Sequence, residues 1–322
     1  MERAKRERIA ALKREQAAAY RTVIEDPITV LRVNSAYRTG RLSLFLGAGV
    51  SSALRLPLWD TLVDQLAVEV YQELGRSDHS EVTKRARMLG FANTMMIRHL
   101  ENVLPEATDF RRRIQGKLYQ TFHEDGVAAL IGPICDHFLS GPQPVRHVVT
   151  YNFDNALERC LKRRGRPTFS VVHSSRSYPA NMDSDIHIYH PHGFIPHPED
   201  DPVGVVAEEP VVFSERDYHH HFMDPGHWAN VMQLQHLMHR TVLFIGVSLA
   251  DPNMRRLLDQ AKSRTEGGVR HVAIQKDKGD LDLNFMMEAD HRSLGVAPLW
   301  VSRFEDIPTL FAELARSDAA AG

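Results

Sequence analysis

Cysteine is almost missing from this chain: Cys135 and Cys160 are the only two in 322 residues. Two thiols are too few for a disulfide framework or for a zinc site held by four cysteines. No stretch approaches the roughly 18–20 consecutive apolar residues that span a bilayer. The N-terminus, MERAKRERIAALKREQ, lacks the apolar core of a secretory signal. A net charge of −2 argues against a protein built mainly to coat nucleic acid. There is no internal repeat, and the only low-complexity tract is the small-residue tail Ala319–Gly322. These absences predict a soluble, cytoplasmic globular protein that meets no membrane.

Histidine is plentiful, with 18 residues, and His190-Pro191-His192 invites a metal reading. Neither His197 nor the run His219-His220-His221 completes a ligand set at convincing spacing, and there are no paired cysteines and no H-E-x-x-H. The expectation is no bound metal, with the run at 219–221 on the surface or in packing.

The informative stretch is Arg41–Ala53, RLSLFLGAGVSSA. Leu42–Leu46 reads as a buried strand, Gly47-Ala48-Gly49 breaks the chain, and Val50–Ala53 leads towards a helix. Strand, glycine turn and helix start form a cradle for a nucleotide's phosphates, because glycine lets the backbone approach and free N–H groups attract negative charge. The G-x-G-x-x-G fingerprint is incomplete, since Ser52 stands at the third glycine, and a plain tight turn is the alternative.

Further along, Asp26-Pro27 starts a helix whose apolar stripe is Ile28, Leu31 and Ala36, closed by Gly40. Asp60 caps a helix carrying Leu62, Val63, Leu66, Ala67, Val70 and Leu74. Residues 76–145 are helical by pattern, with Leu89, Phe91, Met95 and Met96 read as core. Strands follow at 145–150, 168–172, 186–189, 241–245, 271–275 and 298–302, with a strand edge at Pro210–Phe213. Ser214 starts a capped helix, Trp228–His239 and residues 254–262 are helical, and Ile307–Ala315 is the last helix. Strands alternating with helices indicate an α/β fold with a Rossmann-like, doubly wound parallel sheet. The implied organisation is an N-terminal helical arm (1–26), one nucleotide-binding domain (27–316) with a helical insertion at about 76–145, and a tail (317–322). The arm is either a solvated helix or a docking element for a partner subunit or polyanion.

Polar residues follow two strands where open α/β sheets bind ligands: Asn152 and Asp154 after the first, Gly246, Ser248 and Asp251 after the second. Helix capping is the alternative for both aspartates.

The order of these motifs resembles the sirtuin-like family: Gly47-Ala48-Gly49-Val50-Ser51, then Thr150-Tyr151-Asn152-Phe153-Asp154, then His192-Gly193, then Gly246-Val247-Ser248. Phe213–Tyr218 and Asp251-Pro252-Asn253 resemble a bacterial branch, the antiphage-defence effectors that destroy NAD rather than deacetylate proteins. The resemblance spans Ile28 to Phe311. Sirtuin deacetylases carry a zinc module on four cysteines, which this chain cannot build, and Tyr151 and Phe153 depart from the deacetylase pattern.

The resemblance implies an NAD+ glycohydrolase with Asn152 and His192 catalytic, His192 as the base and His190 its rival. Gly47, Ala48, Gly49 and Ser51 would cradle the pyrophosphate, Asp154 would accept from the nicotinamide carboxamide, and Gly246 and Ser248 would contact the adenosine side. It implies no cofactor beyond the substrate NAD+, no structural zinc, a homo-oligomer, and a separately encoded ATPase or Argonaute-type partner through which any nucleic acid would be met. A non-catalytic NAD or ADP-ribose sensor or scaffold is the alternative, followed by a protein deacylase or ADP-ribosyltransferase.

Overall fold

The computed structural model describes residues 27–76, 81–104, 107–123, 130–141, 143–165, 168–174, 184–201, 211–265 and 268–316. The expected arm and tail, the Asp26 cap and Pro210 lie outside these residues. The strands are β1 (Leu42–Leu46), β2 (His147–Thr150), β3 (Phe169–Val172), β4 (Ile186–Tyr189), β5 (Thr241–Ile245), β6 (His271–Lys276) and β7 (Val296–Val301). They form a seven-stranded sheet in the order β3-β4-β2-β1-β5-β6-β7. The ladders β2–β4, β3–β4, β5–β6 and β6–β7 are all parallel, and helices separate the strands along the chain. This is the Rossmann-like α/β class that the alternating pattern predicts. Among the described residues, no helix is long and apolar enough to cross a membrane.

Contacts divide the chain into two compact units, Met1–Leu44 with Leu234–Gly322, and Phe45–Gln233. The first holds α1 (Pro27–Arg38), α10 (Pro252–Arg264), α11 (Leu281–Ser293) and α12 (Ile307–Leu314), and strands β5, β6 and β7. The second holds α2 (Trp59–Glu73), α3 (Val82–Met88), α4 (Asn93–Val103), α5 (Ala107–Tyr119), α6 (Ile131–Ile134, continued by one π turn over Cys135–Leu139), α7 (Ala156–Arg164) and α8 (Glu215–Met223), with β2, β3 and β4. Helix α9 (Trp228–His239) carries the chain from the second unit back into the first.

Several elements differ from the sequence pattern for identifiable reasons. In α1, Ile28 and Leu31 are 68% and 64% exposed, and the buried face is Thr29, Val33, Ala36 and Tyr37. Counting only apolar residues misphased this helix, because Thr and Tyr bury their hydrocarbon while keeping a polar tip. Helix α11 has no apolar stripe at all: it buries Asn284 and His291 and exposes Leu283, Phe285 and Met286. Its start is set by Asp280, whose carboxylate accepts from the amides of Asp282 and Leu283. Leu89, Phe91 and Met95 lie on the surface rather than in the core, whereas Met96, Ile97 and Leu100 are buried. Val211–Phe213 forms no strand; the Val212 amide donates to the His192 carbonyl at 2.7 Å and the Phe213 amide to Asp217 Oδ2 at 3.1 Å. Asp60 falls inside the first turn of α2 rather than at its cap, where it accepts from the Asn93 side chain.

Candidate active site

Strands β1 and β2 deliver the site. The Tyr151 amide donates to the Leu46 carbonyl at 2.9 Å, so the chain leaving β2 is held against the end of β1. Past Leu46 the backbone makes two single 3₁₀ turns, Ala48–Val50 and Ser52–Leu54, and α2 begins only at Trp59. The α-helix start expected directly after the glycines is therefore replaced by tighter turns. The amides of Val50 and Ser51 are spent on the carbonyls of Gly47 and Ala48. The amides of Ala48 and Gly49 make no hydrogen bond among the described residues, which leaves them for a ligand. Gly47 is extended (φ −122°), so glycine serves here by omitting a side chain rather than by adopting a left-handed backbone.

Asn152 sits where β2 ends and is buried. Its Nδ2 donates to the Gly47 carbonyl at 3.2 Å and to Ser51 Oγ at 3.0 Å. Ser51 Oγ in turn donates to Asp154 Oδ1 at 3.4 Å. One side chain thus clamps the glycine turn and passes a hydrogen-bond chain on to a carboxylate. Asp154 Oδ1 also accepts from the Ala156 amide at 3.0 Å, the first amide of α7. The cap position itself falls to Asn155, whose side chain makes no capping bond, so the expected Asp154 cap is displaced by one residue. Burial, the largest influence, pushes the pKa of Asp154 up from 3.8 to about 6; Glu158 adds to this, while the Ala156 amide, His190 and Ser51 oppose it.

The two histidines of the H-P-H-G segment have different surroundings. His190 is fully buried. Its Nδ1 lies 3.0 Å from the Asn152 carbonyl, so that nitrogen must carry the proton and donate. Its Nε2 lies 2.9 Å from Glu158 Oε1. With both ring nitrogens occupied, His190 holds the Asn152 backbone in place. His192 is half-buried, its ring 5.2 Å from that of Tyr151 and 5.7 Å from that of Tyr218. Gly193 closes the turn just after His192 at φ 97°, donating its amide to the His190 carbonyl. Tyr151 is itself anchored, its hydroxyl donating to Gln233 Oε1 at 2.6 Å.

The structure therefore joins Gly47, Ser51, Asn152 and Asp154 in one hydrogen-bonded set, with His192 beside Tyr151. Gly246 and Ser248 lie in the other unit, at the end of β5. Gly246 has φ 67°, and Ser248 is exposed, accepting weakly from the Ala250 amide. Asp251 caps α10 through a 2.7 Å bond from the Met254 amide.

Sequence reading overlooked Glu158. It lies in the first turn of α7, four residues after Asp154, and is buried against His190. Sequence reading also overlooked Tyr119, whose hydroxyl donates to the Ile195 carbonyl at 2.7 Å and accepts from the Asn155 amide at 3.1 Å. No local motif marks that residue, because its partners are far away in the chain.

A turn clamped by a buried asparagine, a buried carboxylate and a half-buried histidine suits the binding of a phosphorylated ligand at strand ends. A family model described as a SIR2-like domain matches residues 146–294. The chain carries a sirtuin-like domain. Defense-associated sirtuin 2 of Bacillus subtilis is 29% identical over 231 residues, 71% of this chain and 20% of that protein. The chain thus spans about a fifth of the length of this curated relative. The SIR2-like match takes in Asn152, Asp154, His192, Gly246 and Ser248 but starts after the glycine turn. Gly47 and Ser51 join the domain's site through the bonds that Asn152 makes to them.

Proposed function

We propose that this sirtuin-like domain hydrolyses NAD+ to nicotinamide and ADP-ribose, as a defence effector acting on the cytoplasmic NAD+ pool. The observation that carries the reading is the Asn152 clamp: one buried amide holds the glycine turn, Ser51 and, through Ser51, Asp154. The open amides of Ala48 and Gly49 face the pyrophosphate in this reading, and Asp154 accepts from the carboxamide of the leaving group.

Nicotinamide leaves from a cationic glycosidic nitrogen as a neutral molecule, so departure needs no acid. What remains is to stabilise an oxocarbenium-like ribose and to supply water. His192 takes one proton from that water as its oxygen bonds to the anomeric carbon, giving ADP-ribose and one released proton. His190 is unsuited to this part, since both its nitrogens are engaged in the interior.

The same reading places the chain in an oligomer or beside a separately encoded ATPase or Argonaute-type partner. The test is to incubate the full chain with NAD+ while following nicotinamide release and NAD+ binding. Release by wild type, lost in Asn152→Ala and His192→Ala, supports hydrolysis. Tight binding of NAD+ or ADP-ribose without nicotinamide release, with and without such a partner, replaces it with the sensor reading.

A further inference from the structure

A cavity of about 490 Å³ is lined wholly by residues of the unit Met1–Leu44 and Leu234–Gly322. Its wall carries Arg32, Arg41, Arg240, Arg270 and His239, and no carboxylate is among its described lining residues. Guanidinium groups gathered around one hollow repel one another, and an anion between them relieves that repulsion. Among the described residues, Arg32, Arg41 and Arg270 form no ion pair. By contrast, Arg255 is bidentate to Asp290, and Arg164 to Asp136.

The cluster is also fixed in place. Arg240 donates to the Gly40 carbonyl at 3.0 Å, and Arg270 donates to the Met238 carbonyl. Each guanidinium carries five N–H donors, so these anchors orient the groups and leave donors for a ligand. His271, next in the chain to Arg270, is buried, and its pKa is depressed to about 3, by burial first and then by Arg270 and Arg32.

The position is informative. Arg41 immediately precedes β1, Arg240 precedes β5 and Arg270 precedes β6, so the cavity lies at the amino ends of these strands. Ligands of the reaction in open α/β sheets bind at the carboxyl ends. Strand β5 alone separates Arg240 from Gly246 by five residues, about 17 Å at the usual rise. This is a different place from the one that holds the reacting substrate.

We infer that the arginine cavity is a binding site for a small, multiply charged phosphate compound, either a free polyphosphate or the polyphosphate of a nucleotide. Its volume falls in the range of small-molecule pockets, and planar guanidinium forks match phosphate oxygens.

Calorimetric titration of the full chain with tripolyphosphate, ATP and adenosine tests this. Tripolyphosphate and ATP are expected to bind wild type and Asn152→Ala alike. The double variant Arg32→Ala/Arg41→Ala is expected to bind both about tenfold more weakly or worse, the loss of one or more charge-assisted bonds. Arg32→Lys/Arg41→Lys should recover part of the loss by restoring point charges, and unliganded melting curves of all variants confirm that they fold. ATP binding more tightly than tripolyphosphate while adenosine fails to bind supports the nucleotide form, and equal binding supports the free polyphosphate form. Failure of tripolyphosphate to bind wild type, undiminished binding in Arg32→Ala/Arg41→Ala, or loss of binding in Asn152→Ala alone would overturn the assignment. Displacement of the bound phosphate by a single-stranded oligonucleotide at lower concentration would overturn it in favour of a macromolecular anion.

Discussion

Two strand ends in this protein follow the same local grammar and reach different chemistry. After β2 the chain runs through Asn152 and Asp154 into a helix, and after β5 it runs through Ser248 and Asp251 into another. Both aspartates accept from an amide in the first turn of the helix that follows, Asp251 as its N-cap and Asp154 from one residue before the cap. Asp154, however, is buried among Ser51, Glu158 and His190, and burial lifts its pKa to about 6. Asp251 caps from a half-exposed position, and its neighbour Ser248 is exposed. The strain differs too. The β5 turn places Leu249 at φ 56° as well as Gly246 at φ 67°, whereas the β2 turn spends its polar groups on one another. A carboxylate bonded to a helix start is thus common to both ends, and what distinguishes them is how many further polar groups are buried around it.

The largest contrast should appear in turnover. Asn152→Ala removes the clamp on Gly47 and Ser51, and nicotinamide release should fall by about a hundredfold or more, the scale for loss of a preorganised donor. Ser248→Ala removes an exposed hydroxyl and should change release by less than about threefold. Equal losses in the two variants would erase the distinction between the strand ends. Stability should separate them next. Glu158→Ala leaves His190 buried without its carboxylate partner, at a cost of about 3–5 kcal/mol, read as a shift in the denaturant midpoint. A cost below about 1 kcal/mol would mean that the pair contributes little to holding the Asn152 backbone.

Asp154 also gives the comparison a pH signature. Folded Asp154 holds its proton more tightly than the unfolded chain does, with a pKa near 6 against 3.8. Stability therefore falls as pH rises from about 4 through 6, by about 3 kcal/mol at 1.36 kcal/mol per unit. Asp154→Asn keeps an acceptor for Ser51 and Ala156 but cannot ionise. It should be more stable than wild type at pH 7, by up to that amount, and no more stable below pH 4. Unfolding curves across pH 3.5–8 check this; a constant difference between the two proteins would show that Asp154 is not the titrating group. Such a gain would also fit a carboxylate kept charged for binding at the expense of stability.

Much of this was legible in the sequence, and the exceptions share a cause. Strands β4 and β5 read correctly to the residue because they are short apolar runs bounded by polar turns. The glycine turn, Asn152 and His192 read as a set because their order was informative even though each motif alone was weak. What failed was whatever depended on partners distant in sequence. Helix α11 buries Asn284 and His291, so hydrophobic counting passed over it. Val50–Ala53, read as leading towards a helix, makes 3₁₀ turns instead, while α2 begins at Trp59, close to the start at Asp60 that the sequence predicts. The arginine cavity draws on positions from Arg32 to Arg270, none of which stands in a motif. The difference between His190 and His192 rested on Glu158 and on the Asn152 carbonyl, and only the fold brings these groups together.

The smallest expected effect isolates capping by itself. Asp251→Ala removes one side-chain bond to the Met254 amide at the start of α10, and a lost N-cap typically costs about 1 kcal/mol. Pro252 already fixes the first helical position, so the helix retains its start and the loss should stay at that scale. Asp251→Asn should recover most of it, because asparagine caps nearly as well. If capping is all that Asp251 does, nicotinamide release by the two variants should match wild type once the proteins are compared at equal folded fractions. A large loss of release in Asp251→Asn, with stability restored, would move Asp251 into the same class as Asp154 and make the two strand ends alike in function as well as in grammar.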